Sequence, residues 1–112
     1  MCIRDRFNSG ANTTASPRVL LPSSGLAYSY SLSAPAGSRI TGLSLNGTAI
    51  DPAASYRVTM NSFLATGGDN FTVFNQGTDT LGGDQDVDAL EAYIKANSPL
   101  APPATNRITA LP

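Results

Sequence analysis

The clearest pattern along the chain is a two-residue alternation that begins at Leu26. Leu26, Tyr28, Tyr30 and Leu32 fall on one face and Ala27, Ser29 and Ser31 on the other, which predicts a half-buried β-strand. Pro35-Ala36-Gly37 turns the chain, and Ile40 to Leu45, Asn46-Gly47 and Thr48 to Ile50 predict a hairpin, because Asn-Gly readily supplies the two left-handed residues of a type I′ turn. Asp51-Pro52 predicts another turn. After it, Tyr56, Val58 and Met60 alternate with Arg57, Thr59 and Asn61 and predict a central strand. Between Phe63 and Phe74 the alternation stops, and Gly67-Gly68-Asp69 predicts a shaped loop with room for a helical turn around Phe63. Val87, Leu90, Tyr93 and Ile94 then recur at helical spacing behind acidic residues, until Ser98-Pro99 stops the run, so one amphipathic helix is expected. Arg107-Ile108-Thr109 is a candidate edge strand. The fold class is α+β: a mixed or antiparallel sheet with one main C-terminal helix, as part of a layered domain.

A chain of 112 residues holds one domain of ordinary size and no second catalytic domain. Residues 1–6 (Met-Cys-Ile-Arg-Asp-Arg) differ in character from the Ser/Thr/Gly-rich sequence after them and are expected to be a non-native leader. Residues 7–17 are a cluster of turn formers without periodicity and are expected to be loop. Residues 18–112 form the single domain, expected to be incomplete at its N-terminal side.

Composition narrows the chemistry. Charged residues make up only 13%, the net charge is −1 and there is one Lys, so the clustered cations that grip a phosphate backbone are missing and nucleic acid is not an expected partner. No stretch approaches the ~20 apolar residues of a membrane span. The lone Cys2 permits no intramolecular disulfide. Histidine is absent, which removes Ser-His-Asp and Cys-His nucleophile systems and every imidazole-ligated metal site. Polarity carried by Ser, Thr and Asn points to a secreted or envelope β-rich protein.

Three motifs have ordinary explanations. Asp84, Asp86 and Asp88 have the alternate spacing of a calcium loop, but Ala89 stands where Gly is needed and Lys95 where Glu is needed, which favours a helix N-terminus. The sequons at Asn12, Asn46 and Asn70 are common by chance in a Thr-rich chain. Gly67-Gly68-Asp69-Asn70 resembles the diguanylate cyclase signature, but Asn70 replaces its acidic fourth residue.

More informative is the run from Tyr56 to Phe71. A strand ending in Phe63, then a Gly-Gly turn delivering Asp69, places an aromatic face beside a carboxylate. A nucleoside uses such a pair: its base stacks on the ring for ~1–3 kcal/mol and its ribose hydroxyls donate to the carboxylate. On the residues alone, a buried Phe and a turn Asp that satisfies loop amides is the favoured reading of the same stretch.

Several separated motifs match one family. Asn61-Ser-Phe63-Leu-Ala-Thr-Gly67-Gly68-Asp69-Asn-Phe71, then Gly83-Asp84-Gln85-Asp86 opening the helix, then Arg107-Ile108, together with Ser24-Gly25-Leu26-Ala27-Tyr28-Ser29-Tyr30 upstream, resemble the C-terminal domain of the 5′-nucleotidase family over about residues 18 to 110. The resemblance implies that Phe63 forms one face of a nucleobase clamp, that Asp69 accepts from the ribose hydroxyls and that Gly67 and Gly68 shape their loop. The second clamp aromatic is expected just before the Ser-Gly strand, where this chain has Val19-Leu20-Leu21, so Leu20 is expected to offer an apolar wall instead. Asn70 departs from the family's usual Gly, and Asn tolerates a positive φ better than most residues.

The resemblance further implies two divalent metals in an N-terminal metallophosphatase domain of the same polypeptide that is absent from this sequence. This piece is then expected to hold no metal, to bind a nucleotide or nucleoside and not to hydrolyse it. The implied whole is a secreted or periplasmic phosphohydrolase acting on nucleoside 5′-phosphates or related cyclic or sugar nucleotides, its signal peptide encoded upstream. The rival expectation is a noncatalytic secreted β-rich adhesion module, in which Phe63 is buried against the sheet instead of open beside Asp69.

Overall fold

A computed structural model describes residues 18–35 and 37–112. The leader expected over 1–6 and the loop expected over 7–17 lie outside the described residues. The chain is α+β, as the hydrophobic pattern predicts. Strands β1 (Leu26–Ser31), β2 (Ile40–Leu45), β3 (Thr48–Ala49) and β4 (Ile108–Leu111) form a mixed sheet in the order β3-β2-β1-β4, and the helices are α1 (Ser62–Ala65) and α2 (Asp86–Asn97).

The hairpin follows from its turn residues. Asn46 and Gly47 both have positive φ, 51° and 79°, as a type I′ turn requires, and β3 folds back antiparallel on β2 with Leu45 opposite Thr48. β1 and β2 are also antiparallel, but the register slips between Ala27–Ser44 and Ser29–Thr41, so Gly42 and Leu43 together face Tyr28. Gly42 has φ 60°, and the slip is a β-bulge on β2 built on a left-handed glycine. The bulge lies opposite the most buried part of β1.

Tyr28 is that buried residue, and together with Phe71 it makes up the apolar core among the described residues. Its hydroxyl donates to the Leu20 carbonyl at 2.6 Å, so the strand is tied to the segment that precedes it. Burial, with a smaller push from the charge of Tyr30, raises the Tyr28 phenol from 10.0 to about 12. The sign of the linkage follows. Below pH 10 folded and unfolded chains both keep this proton; between 10 and about 12 the unfolded phenol loses it while the folded one does not. Stability carried by Tyr28 is therefore present in full below pH 10 and falls by roughly 1 kcal/mol per pH unit as pH climbs to about 12. Urea denaturation of the wild type and of Tyr28→Phe at pH 9 and pH 11 checks this: the wild type should lose more stability between the two, and parallel losses would refute it.

The edge strand expected around Arg107-Ile108-Thr109 is β4, which runs parallel to β1 with Tyr28 opposite Ile108 and Ser31 opposite Leu111. The Tyr28 amide donates to the Arg107 carbonyl, the Ser31 hydroxyl to the Pro112 carbonyl at 2.7 Å, and Arg107 Nη1 to the Pro22 carbonyl. These bonds stitch the last residues to the first strand.

One expected strand is not formed. Tyr56 to Met60 pairs with nothing in the sheet, and Tyr56 and Val58 are exposed. Alternation makes a segment fit for a sheet but does not bring it beside a partner strand. Both sides of β1 and of β2 are filled, and Tyr56 to Met60 pairs with neither of the two outer strands, β3 and β4. Tyr56 is also drawn back by the Asp51-Pro52 turn. There the Asp51 carboxylate accepts from the Ala53 amide, and the Asp51 amide donates to the Tyr56 hydroxyl, both at 2.9 Å.

The expected C-terminal helix is present as α2. Asp86 and Asp88 lie in its first turn, with Asp86 Oδ1 accepting from the Val87 amide; Lys95 lies in its last turn, paired with Glu91 one turn earlier. At its C-terminal end Asn97 Nδ2 donates to the Tyr93 carbonyl and the Ser98 hydroxyl to the Ile94 carbonyl. Its apolar positions Val87, Leu90, Tyr93 and Ile94 are all exposed. Two of the three acidic positions considered for calcium, Asp86 and Asp88, thus lie in the first turn of the helix.

Candidate functional site

The loop between α1 and the buried Phe71 is built by local rules. Asn61 opens α1 as its N-cap, its side-chain oxygen accepting from the Leu64 amide at 2.9 Å. The Thr66 hydroxyl returns to the carbonyls of Ser62 and Phe63, and Gly67 ends the helix at φ 85°, its amide donating to the Leu64 carbonyl. Gly68–Asn70 then forms one short 3-10 turn and Thr72–Gln76 another. Phe71, between them, is buried and packs on Phe74 with ring centroids 6.3 Å apart. The buried ring anchors the loop and leaves its earlier residues at the surface.

Asp69 and Asn70 have φ of 52° and 63°, and Gly67 is left-handed too, so three of four consecutive residues hold a conformation that side chains disfavour. Strain of this kind concentrates where a backbone must present a side chain in a set direction. Here it presents Asp69, whose side chain is 30% exposed.

Phe63 lies over the same turn. A Cβ built on Gly68 would sit 2.5 Å from the Phe63 ring, so the ring rests against the bare glycine backbone, one residue from Asp69. Phe63 is 57% exposed. Exposure alone does not single it out, since Leu21 and Leu81 are more exposed. Its distinction is an open aromatic face fixed beside a strained turn that carries a carboxylate.

The residues picked from the sequence therefore fall into two groups. Phe63, Gly67, Gly68 and Asp69 come together in one loop. Leu20 is half-buried in the segment that leads into β1, where its carbonyl holds the Tyr28 hydroxyl. The two groups are linked by Arg18, whose Nη1 lies 3.1 Å from Asp69 Oδ2. Nothing in the linear sequence marks Arg18, a single cation 51 positions from its partner. A separate groove of about 340 Å³, lined by Leu21, Pro22, Pro103, Thr105, Arg107 and Ile108 among others, contains none of the loop residues.

The divalent metals that the family resemblance implies do not fit this chain. It has no histidine, and among the described residues no group of three or more His, Cys, Asp or Glu could hold an ion. No helix among the described residues is long and apolar enough to cross a membrane.

The family model described as "5'-nucleotidase, C-terminal domain" matches residues 2–76, more than half of the chain. A 5'-nucleotidase-related protein of Glossina morsitans morsitans is 33% identical over 114 residues, covering 94% of this chain and 20% of that protein. Snake venom 5'-nucleotidase of Macrovipera lebetinus is 32% identical over 101 residues, covering 82% of this chain and 25% of that protein. The protein named Silent protein UshA(0) of Salmonella typhimurium is 38% identical over 63 residues, 55% of this chain and 12% of that protein. The chain thus spans a quarter or less of the length of these relatives. No solved structure matches it at a significant level. With a matching domain model over most of its length and relatives aligned along nearly all of it, the chain belongs to the 5'-nucleotidase C-terminal domain family.

Proposed function

We propose that this chain is the nucleoside-recognition part of a secreted 5′-nucleotidase-like phosphohydrolase. In this reading Phe63 stacks on the nucleobase, Asp69 accepts hydrogen bonds from the ribose hydroxyls, Gly67 and Gly68 let the turn and the ring approach each other, and Leu20 forms an apolar wall. The observation that carries the reading is the open Phe63 ring seated on Gly68, one residue from Asp69. An adhesion module requires that ring to be buried, and its exposure counts against the rival.

Hydrolysis is assigned to a metallophosphatase domain elsewhere in the same polypeptide, and this chain alone is inactive. Two facts support that division: among the described residues no donor set suits a dinuclear metal, and the chain spans only a small share of its relatives. Substrates are nucleoside 5′-phosphates or related phosphoesters, including cyclic and sugar nucleotides. A relative from snake venom supports an extracellular setting.

Adenosine titration followed by amide NMR tests the binding reading. Shifts should concentrate between Phe63 and Phe71. Saturating adenosine that moves no amide in this loop would refute it.

A further inference from the structure

We infer that Arg18 is a positioning residue of this site: by gripping Asp69 Oδ2 it aims the carboxylate at a vicinal diol, so ligands with two adjacent ribose hydroxyls depend on Arg18 and ligands without them do not. The inference rests on the nucleoside reading above and extends it to a residue outside the loop.

The backbone and the ion pair divide the task. Left-handed φ values at Gly67, Asp69 and Asn70 set the direction in which Asp69 leaves the main chain. They leave its side-chain torsions open, and a carboxylate on a surface turn samples several rotamers. The Arg18 guanidinium, 3.1 Å from Oδ2, removes that freedom with a charge-assisted hydrogen bond. A carboxylate has about four acceptor sites on two oxygens, so one bond at Oδ2 leaves capacity for two hydroxyls.

The pair contributes little to holding the fold together. Its side chains are 52% and 30% exposed, and exposed pairs contribute little stability. Its distinctive feature is its reach: it joins the segment leading into β1 to the loop after α1, across 51 residues.

The test compares adenosine with 2′,3′-dideoxyadenosine, which keeps the base and lacks the diol. Affinities are measured on the 112-residue chain as wild type, Arg18→Ala, Arg18→Lys, Asp69→Asn and the Arg18→Ala/Asp69→Asn double variant, with thermal melts to show that each folds. Arg18→Ala should weaken adenosine binding about three- to tenfold, the scale of one orienting hydrogen bond, and leave dideoxyadenosine unchanged. On the Asp69→Asn background the same substitution should do nothing further, and Arg18→Lys should recover part of the loss.

Equal weakening for both ligands in Arg18→Ala would reduce Arg18 to a support for the loop and overturn the inference. Tighter adenosine binding in that variant would make Arg18 a competitor for Asp69, which also overturns it. A wild type that binds both ligands alike, with Asp69→Asn silent, would remove the diol from the recognition and overturn the inference, whereas a wild type that binds neither ligand would overturn the nucleoside reading itself.

Discussion

Phe63→Ala is expected to weaken adenosine binding roughly 5- to 150-fold, the equivalent of ~1–3 kcal/mol of base stacking, with little change in thermal stability. The two halves of this expectation come from different observations. Stacking needs an aromatic face that a base can reach, and the Phe63 ring is more than half exposed above Gly68. Stability needs burial, and in this loop burial belongs to Phe71. Phe71→Ala supplies the contrast, because it should destabilise the loop before any ligand is added. Calorimetric titration beside a thermal melt separates the effects. A Phe63→Ala variant that binds adenosine as the wild type does would remove the ring from the site, whereas one that unfolds would return Phe63 to the core.

The second large effect concerns the fold. Tyr28→Ala is expected to cost ~3–5 kcal/mol, as for other large aromatics removed from a core. Domains of this size have only about 5–15 kcal/mol in total, so the variant should sit close to unfolding. Tyr28 combines three duties that its neighbours do not share. It is buried, it faces the bulge at Gly42 and Leu43, and it holds the Leu20 carbonyl while its own amide donates to Arg107. Tyr28→Phe keeps the ring and removes the hydroxyl bond, and should cost ~1 kcal/mol. Urea denaturation followed by circular dichroism ranks the three chains. An alanine variant no weaker than the phenylalanine one would show that the ring is not the centre of the core.

The loop bearing Phe63 and Asp69 was legible in the sequence because each of its parts obeys a local rule. Gly67 and Gly68 mark the turn before Asp69, and only glycine at position 68 lets the Phe63 ring approach so closely, whereas Asn61 and Phe63, expected at the end of a strand, instead cap and occupy α1. The hairpin was legible for the same reason, since Asn46-Gly47 specifies its turn within two residues. Tyr56 to Met60 misled, because alternation describes a side-chain pattern and carries no information about which strand, if any, the segment will lie beside.

Local signals along the chain thus determined the α+β class, the positions of β1, β2, α1 and α2, and the residues that mark the family. The packed structure alone decided that β4 lies parallel to β1, that Tyr28 is the buried member of its alternating face, that Tyr56 to Met60 stays outside the sheet and that Arg18 reaches Asp69. The physical reason is the range of the interactions. Turns, caps and helical periodicity are settled among residues a few positions apart, whereas strand partners, burial and a 51-residue ion pair depend on which distant surfaces the folded chain brings into contact.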